Sequence, residues 1–385
     1  MAAKIGQELP FPRAELDQRM ARVRAKMAES GLDAVLLYDP ENVFYLTGYQ
    51  SIGYFTYQAL LVPLKGEPVL ISRVVNKFMA EITPTIGRFV SMLDTDDPID
   101  LTLKAIADLA PRGKLGVETN AWYLNVPAYQ ALVAKSGWSV ADFNGVVEWL
   151  RIVKSPAEID CIRRAARAAE AGMRAALEAS NPGATENDVA AAMHQASIAA
   201  GSEYLGHAPI AVSGERTAVT FAMWRRRTLV KGDVLFLETG GCIDRYHGLL
   251  ARCAVLGRPT DEMRRMADAI IGGLNGAIAA IKPGATSGDC DHACRSVIAR
   301  AGYGERFVHR TAYAVGIGFP PNWAEGKTLS LRKDDPTPLQ PGMTFHIVPS
   351  VFGGEFGMCF SETVLVTETG AEVITQFPRE LLVRT

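Results

Sequence analysis

The chain alternates short apolar runs with stretches of helical period, and this pattern changes near residue 150. Residues 13–30 place small apolar and charged groups at helical spacing and end at Gly31, a residue type that commonly terminates helices. The pattern then predicts strands at 34–37, 59–62 and 69–71 and helices at 101–109 and 127–135. Strands that alternate with helices in this way are typical of an α/β domain, which we assign to residues 1–150.

A different pattern begins at Pro156 and predicts a second domain, assigned to residues 151–385. Long alanine-rich stretches at 157–177 and 185–200 have helical period. Further along, the pattern predicts helices at 263–281 and 289–300 and strands at 209–212, 234–238, 344–351 and 362–366. Helices and strands in this order are typical of an α+β domain.

Composition narrows the class of protein. The chain has 385 residues, which is long for one hydrophobic core, so two packed domains are the simplest count. Its net charge is −2 and Trp224-Arg-Arg-Arg227 is its densest basic cluster, so we do not expect nucleic acid as a partner. No run approaches the roughly 20 apolar residues of a membrane span, and residues 1–8 lack an apolar signal core. We therefore expect a cytoplasmic protein that does not contact a membrane.

The cysteines predict no disulfide framework and no zinc site. There are six of them, scattered without the spacing that either structure requires. We expect buried free thiols at Cys161, Cys242, Cys253, Cys290, Cys294 and Cys359.

Several motifs follow one another in a recognisable order. Val153-Lys-Ser-Pro-Ala-Glu-Ile-Asp160 opens the second domain and the glycine loop Gly316-Ile-Gly318 follows its last helix. Strand-like segments lie at 230–242, 244–257, 341–345 and 362–370, and the first domain contains the motif segments 31–37 and 42–48. Together these segments resemble the creatinase/prolidase/methionine aminopeptidase family (M24) over nearly the whole chain. The resemblance implies a creatinase-type first domain and a second domain with the pita-bread fold.

The resemblance also identifies five positions where metal-dependent members keep Asp, Asp, His, Glu and Glu to hold two metal ions. In this sequence those positions are Glu238, Leu249, Val315, Val348 and Ser361. Leucine and valine cannot ligate a metal, and one carboxylate with one hydroxyl does not hold a dinuclear centre. We therefore predict neither a metal nor another cofactor, as in the creatinase and ectoine hydrolase branches, which work without metal.

Glu238 is the first candidate catalytic residue. It follows the apolar run Val234-Leu-Phe-Leu237, where a buried carboxylate is unfavourable unless it is paired or used in chemistry. Burial raises the pKa of a carboxyl group, which suits a general acid or base near neutral pH. The ectoine hydrolase branch resembles this chain in having a catalytic Glu here. The alternative is a structural glutamate neutralised by Arg252 or Arg245.

Glu362 and His346 are the other predicted catalytic residues. Glu362 precedes a strand and resembles a Glu of ectoine hydrolases; the alternative is an acid that anchors a loop. His346 lies two residues before Val348, so on a strand it faces the same side as that lost ligand position. Its alternative is a hydrogen-bonded core histidine.

Three aromatic residues of the glycine loop are predicted to bind substrate. Tyr313, Phe319 and Trp323 lie in a stretch that resembles the ectoine hydrolase loop, although Asn322 replaces the usual Asp. Aromatic faces suit a delocalised cation or an apolar ring. The alternative is that these rings are part of the core.

His247, His309 and Arg225 complete the predicted substrate-binding set. His247 lies two residues before Leu249, so the same parity predicts that it faces inward. His309 precedes the glycine loop, and its alternative is a structural contact to Glu305. Arg225 is a candidate clamp for a substrate carboxylate, or else part of a solvated basic turn. Most of the family has a His shortly after the Ser213-Gly214 motif, where this chain has Phe221.

The sequence thus predicts a homodimeric, metal-independent hydrolase of a C–N (amide or amidine) bond in a small polar metabolite, similar to ectoine hydrolase and creatinase. Glu238 would activate water or attack directly, with Glu362 and His346 moving protons. In the family the first domain of one subunit commonly closes the pocket of the other, and the residues that would do so here are Tyr49, Tyr54, Phe55 and Tyr57.

Two alternatives stay open. One is an Xaa-Pro peptidase-like enzyme or a lyase with a rearranged metal site formed by Glu238, His247, His346 and Glu362. The other is an inactive binding module. The sequence does not distinguish hydrolysis from elimination, because both use the same acid–base pair.

Overall fold

The computed structural model describes residues 8–110, 112–325 and 327–384. The chain divides into two compact units, one ending at Arg151 and the other beginning at Ile152. Within the described residues, no helix combines the length and the apolar character needed to cross a membrane. All six cysteines are free and buried, which confirms that prediction.

The first unit is an α/β layer, as predicted. Its helices are α1 Arg13–Glu29, α2 Pro40–Thr47, α3 Lys77–Ile82, α4 Pro98–Ala107, α5 Val126–Lys135 and α6 Val146–Arg151. Its strands are β1 Ala34–Leu37, β2 Gln58–Pro63, β3 Val69–Arg73, β4 Arg88–Met92, β5 Lys114–Val117 and β6 Ser139–Asp142. They form one mixed sheet in the order β4-β3-β2-β1-β5-β6. Every residue of β1 is buried, as expected for a central strand covered on both faces.

The second unit is an α+β domain, again as predicted. Its helices are α7 Pro156–Ala179, α8 Glu186–Ala199, α9 Asp261–Ala280 and α10 Ser287–Arg300. Its strands are β7 Ile210–Ser213, β8 Val234–Ile243, β9 Tyr246–Leu256, β10 Ala312–Phe319, β11 Asn322–Ala324, β12 Ser330–Leu331, β13 Thr344–Ile347, β14 Ser350–Val351, β15 Met358–Cys359, β16 Glu362–Val366, β17 Ala371–Val373 and β18 Leu382–Arg384. The main sheet has the order β17-β16-β13-β10-β9-β8-β7.

The hairpin of β8 and β9 contains the two longest strands of this sheet, with 10 and 11 residues. A two-residue turn joins the strands, with Asp244 and Arg245 both at positive φ (47° and 66°), as a type I′ hairpin turn requires. Leu235 of β8 packs with α7 and α8, whereas Phe236 on the opposite face joins the core cluster that contains α9 and α10. Glu238 has the parity of Phe236.

β8 extends beyond the predicted strand 234–238. The prediction stopped short because glycines at 240 and 241 follow the apolar run. A Cβ on Gly241 would lie 2.0 Å from the Ala165 carbonyl oxygen, and one on Gly248 would lie 2.5 Å from the Ala166 nitrogen. The middle of α7 therefore packs directly on the hairpin backbone. Glycine weakens the strand signal in the sequence, yet here it is what allows the helix to approach.

Candidate active site

The second unit contains a cavity of about 460 Å³, a size typical of small-molecule sites. Apolar and aromatic side chains form most of its wall, among them Phe221, Phe236, Trp323 and Phe352. The polar groups that line it include His207, Glu238, His309, Arg310 and Tyr313.

Glu238 is the carboxylate of this cavity. It is 8% exposed, and burial raises its pKa to about 7. The two arginines that were alternative partners are engaged elsewhere: Arg252 pairs with Glu362 at 2.6 Å, and Arg245 donates to the backbone oxygens of Gly318 and Tyr204. Because its pKa is close to neutral pH, Glu238 is present in both protonation states and suits general acid–base chemistry.

His346 lies behind Glu238 and connects two hydroxyl groups. Its Nδ1 is 4.0 Å from Glu238 Oε1, too far for a hydrogen bond. The same Nδ1 is 2.8 Å from the Tyr313 hydroxyl, and Nε2 is 2.6 Å from Ser361 Oγ. Burial and the charge of Arg252 lower the pKa of His346 to about 3, so the ring is neutral and carries one proton.

The remaining contacts locate that proton. Ser361 Oγ accepts the Ala251 N–H at 2.6 Å, so its own hydrogen needs an acceptor, and His346 Nε2 is the one within reach. The ring proton then lies on Nδ1 and is donated to the Tyr313 oxygen. That oxygen also accepts the Trp323 Nε1–H at 3.1 Å. The Tyr313 hydroxyl hydrogen is therefore left to donate into the cavity, and His346 orients that hydroxyl from behind.

Glu362 was predicted to be catalytic, and the structure places it elsewhere. Its neighbours in sequence, Ser361 and Thr363, face β9, so alternation turns Glu362 to the opposite side. There its carboxylate is 1% exposed and binds Arg252 at 2.6 Å and Arg379 at 3.0 Å. It does not line the cavity. These contacts fit the alternative of a structural anchor.

His247 and Phe319 were predicted to bind substrate, but neither reaches the cavity. His247 is fully buried and its Nε2 accepts the Gly206 N–H at 3.0 Å. Burial lowers its pKa to about 3, so it stays neutral. Phe319 is buried with its ring centroid 4.7 Å from the Arg245 guanidinium carbon. Strand parity gave the face of His247 and not its distance from the cavity. Phe319 fits the alternative of a ring that is part of the core.

Tyr313, Trp323 and His309 do line the cavity. The His309 ring stands edge-on to Phe307, with centroids 5.3 Å apart, and its Nδ1 lies 2.6 Å from the Arg310 carbonyl oxygen. Burial lowers the pKa of His309. Its ring contacts are therefore to aromatic groups and not to Glu305, the predicted alternative.

Arg225 does not contribute to the cavity. Its side chain is exposed, and its backbone N–H donates to Glu186 Oε2 at 2.7 Å. The neighbouring Arg227 pairs with Asp233 at 2.6 Å. The basic cluster is thus a surface turn, and the predicted carboxylate clamp at Arg225 is not formed.

Two polar groups of the cavity were not found in the sequence. His207 and Arg310 lie in segments between strands and helices, where no period indicates which way a side chain points. Arg310 stacks over Tyr313, with its guanidinium carbon 5.0 Å from the ring centroid, and donates to Ser330 Oγ at 3.2 Å. Its position directly after His309 was the one available signal.

Comparison with known proteins identifies the family to which both units belong. Residues 160–368 match the profile of metallopeptidase family M24, and residues 19–153 match the creatinase/prolidase N-terminal domain. The chain belongs to family M24. Its second unit is the pita-bread domain of that family, which confirms the predicted fold.

Among M24 relatives, the ectoine hydrolase of Halomonas elongata is 32% identical over 400 residues, 98% of this chain and 99% of the relative. The dipeptidase PepE of Mycobacterium ulcerans has a TM-score of 0.82 and 26% identity, covering 97% of this chain and 99% of that structure. An Xaa-Pro dipeptidase of Bacillus anthracis has a TM-score of 0.82 and 25% identity, covering 96% and 99%.

The M24 name implies a metal, and the residues at the five ligand positions do not fit one. Leu249 and Val315 pack with Trp323 in an apolar cluster, and Val348 is part of the cavity wall. The Ser361 hydroxyl is occupied by His346 and the Ala251 N–H. Glu238 remains as the one carboxylate.

The four residues proposed for a rearranged metal site are not brought together as a ligand set. Of its four proposed ligands, Glu362 is held by Arg252, and His247 by the Gly206 N–H. Within the described ranges, the group of three or more potential ligand side chains that lie close together is Asp39, Glu118 and Glu148, in the first unit.

Proposed function

We propose that this M24 member hydrolyses a C–N bond, in an amide or amidine, of a small polar metabolite without using a metal ion. The observation that carries the proposal is Glu238: a single carboxylate of raised pKa in a mostly apolar cavity, in place of a ligand set. Ectoine is the first candidate substrate, because the chain is 32% identical to an ectoine hydrolase over 98% of its length.

In the proposed reaction Glu238 acts as general base. Its carboxylate takes a proton from water, and the hydroxide that forms adds to the carbon of the C–N bond. The Tyr313 hydroxyl, oriented by His346 and Trp323, donates a hydrogen bond to the heteroatom on which negative charge develops. The C–N bond then breaks and the nitrogen leaves with its electron pair and takes up a proton. The aromatic wall holds a delocalised cation or an apolar ring in place.

An Xaa-Pro dipeptidase is the second candidate, favoured by the whole-chain likeness to the Bacillus anthracis enzyme. That reaction in this family would use a metal centre, so metal content separates the two candidates.

The test is turnover of ectoine, creatine and an Xaa-Pro dipeptide by the purified protein, before and after chelation, with its metal content measured. We expect C–N hydrolysis that EDTA leaves unchanged, because three of the five ligand positions have aliphatic side chains. A metal-dependent M24 prolidase, assayed in parallel, shows whether the chelation was effective. Stoichiometric metal whose removal stops turnover would refute the metal-free proposal and favour the dipeptidase.

We also propose that the protein is a homodimer. The first unit exposes Phe55 and Phe78, each 72% accessible, together with Ile52 and Val75. Asn76 brings the two segments together, since it contacts Ser51 and leaves no room for a side chain at Gly53. Exposed apolar groups clustered in this way are typical of interaction surfaces. Of the predicted pocket-closing residues, Tyr49 and Tyr54 are buried within the first unit, whereas Phe55 is available.

We expect the combined substitution Phe55→Asp and Phe78→Asp to convert the dimer to a monomer, because it places charges in an apolar contact. Light scattering coupled to gel filtration measures the mass. Leu93→Asp, at another exposed apolar position of the first unit, is the control and should leave the mass unchanged. A wild-type protein that is already monomeric at micromolar concentration would contradict this proposal.

A further inference from the structure

His207 is a polar group of the cavity that the proposed reaction has not yet used. It lies between α8 and β7, in the wall of the cavity that also contains Glu238. Its ring is tilted 49° to the Trp323 ring, with centroids 4.9 Å apart. The side chain is half-buried, so one edge of the imidazole is accessible to a molecule in the cavity.

The hydrogen bond that His207 makes to the backbone fixes which ring nitrogen faces a ligand. Its Nδ1 lies 2.6 Å from the Ala208 carbonyl oxygen. A carbonyl oxygen only accepts, so Nδ1 carries a hydrogen. Nε2 is then a lone pair in the neutral ring and an N–H in the protonated ring. This is the arrangement of a histidine that exchanges its proton at Nε2.

Buried His247 holds the segment that carries His207. Its Nε2 accepts the Gly206 N–H at 3.0 Å, and because burial keeps the ring neutral, that lone pair is available at physiological pH. Gly206 also packs against the neighbouring loop so closely that a Cβ would lie 2.3 Å from the Asn322 carbonyl oxygen. The position of His207 is therefore set from two sides.

We propose that His207 is the second acid–base group of the cavity, and that His247 positions it. This rests on the proposed hydrolysis. Water gives a proton to Glu238 and its hydroxide to carbon; the C–N bond breaks with its electron pair on nitrogen, and that nitrogen takes the proton from His207 Nε2. The proton on Glu238 then returns to His207 through water, so both groups are restored and nothing is oxidised or reduced.

The other groups around His207 are consistent with this division of work. Tyr313 donates a hydrogen bond, Arg310 is a cation that does not give up its proton, and His309 is more easily kept neutral because burial lowers its pKa. On its other side His207 borders a second cavity of about 330 Å³, together with His194 and Glu203.

The test compares His207→Ala and His207→Gln with wild type in ectoine hydrolysis. We expect kcat to fall by about 10²–10⁴ in both, with KM changed only a few-fold, because proton transfer contributes to the transition state. Added imidazole should restore part of kcat in the alanine variant and nothing in the glutamine variant, which leaves no space. His292→Ala, an exposed histidine of α10, should behave as wild type.

His247 has its own readout. His247→Leu should lower kcat, because the Gly206 N–H then loses its acceptor and the segment that carries His207 is no longer held. His247→Gln, whose amide oxygen can accept the Gly206 N–H, should retain most of kcat. Equal losses in both variants would remove the positioning role.

Several results would overturn the proposal for His207: an unchanged kcat, a rise in KM alone, or no rescue by imidazole. If wild type does not hydrolyse ectoine, the proposed function fails for that substrate, and the inference is then decided by nitrogen-15 spectra of the histidine-labelled protein. His207 should show a protonated Nδ1 and a free Nε2 in its neutral form. A proton on Nε2 would refute the proposal without reference to any substrate.

Discussion

Replacing Glu238 with glutamine should lower kcat for C–N hydrolysis by about 10²–10⁴, the range expected when a general base is removed. The amide has nearly the same shape and cannot take a proton from water. For wild type, kcat/KM should rise with pH through about 7, where the buried carboxyl group ionises. Steady-state kinetics of both proteins measure these effects. Glu305→Gln, an exposed carboxylate outside the cavity, is the matched control.

The same substitution should stabilise the fold at high pH. Burial raises the pKa of Glu238 from 4.5 to about 7, so between these values the folded chain keeps a proton that the unfolded chain has released. The contribution of Glu238 to the free energy of unfolding therefore falls as pH rises through that window, by about 3 kcal/mol in total. Glutamine carries no charge and removes that loss. Urea unfolding at pH 4.5 and pH 8 measures the difference.

A wild type and variant with the same pH dependence of stability would show that Glu238 is not held in an apolar environment. A variant that keeps its full kcat would remove Glu238 from the mechanism. The combination we expect, lost turnover with gained stability at pH 8, is the behaviour of a group kept for function at the expense of the fold.

The sequence pointed to Glu238 for a physical reason, and the structure places this residue in the cavity wall. A carboxylate directly after four apolar residues has to be buried, and a buried carboxylate needs either a partner or a task. In the structure Arg252 and Arg245, the partners that the sequence offered, bind elsewhere, which supports a task for Glu238.

Strand parity predicted the side on which His346 lies but not the depth of its ring. It placed His346 on the side of the lost ligand positions, and the structure finds it 4.0 Å from Glu238. It did not reveal that the ring is fully buried behind Tyr313. Alternation gives the direction of a side chain, whereas its depth depends on the strand packed in front of it.

The loops were beyond these rules. His207 lies where neither period applies, and its place in the cavity depends on contacts from Gly206 to His247, 41 residues further along the chain, and to Asn322. Such contacts are long-range in sequence and local in space. The helices and central strands of both units were predicted more fully, because their apolar periods are continuous over many residues.

Glu362 provides the second large expected effect, and it concerns stability. With Arg252 it forms an ion pair in which both side chains are almost fully buried, and Arg379 and Thr375 complete the contacts of the carboxylate. Replacing Arg252 with methionine leaves Arg379 as the cation in contact with the buried Glu362 carboxylate. This change should lower the free energy of unfolding by about 3–5 kcal/mol. Urea unfolding at pH 7 measures this change.

Glu362→Gln separates structure from catalysis at this position. It should lower the free energy of unfolding by about 3 kcal/mol, since Arg252 then lacks its counter-charge in the interior. The folded fraction should keep a kcat within a few-fold of wild type, because the carboxylate faces away from the cavity. A stable variant without turnover would instead return Glu362 to the catalytic set. The two carboxylates thus make opposite predictions: an amide at 238 costs turnover and spares the fold, whereas an amide at 362 costs the fold and spares turnover.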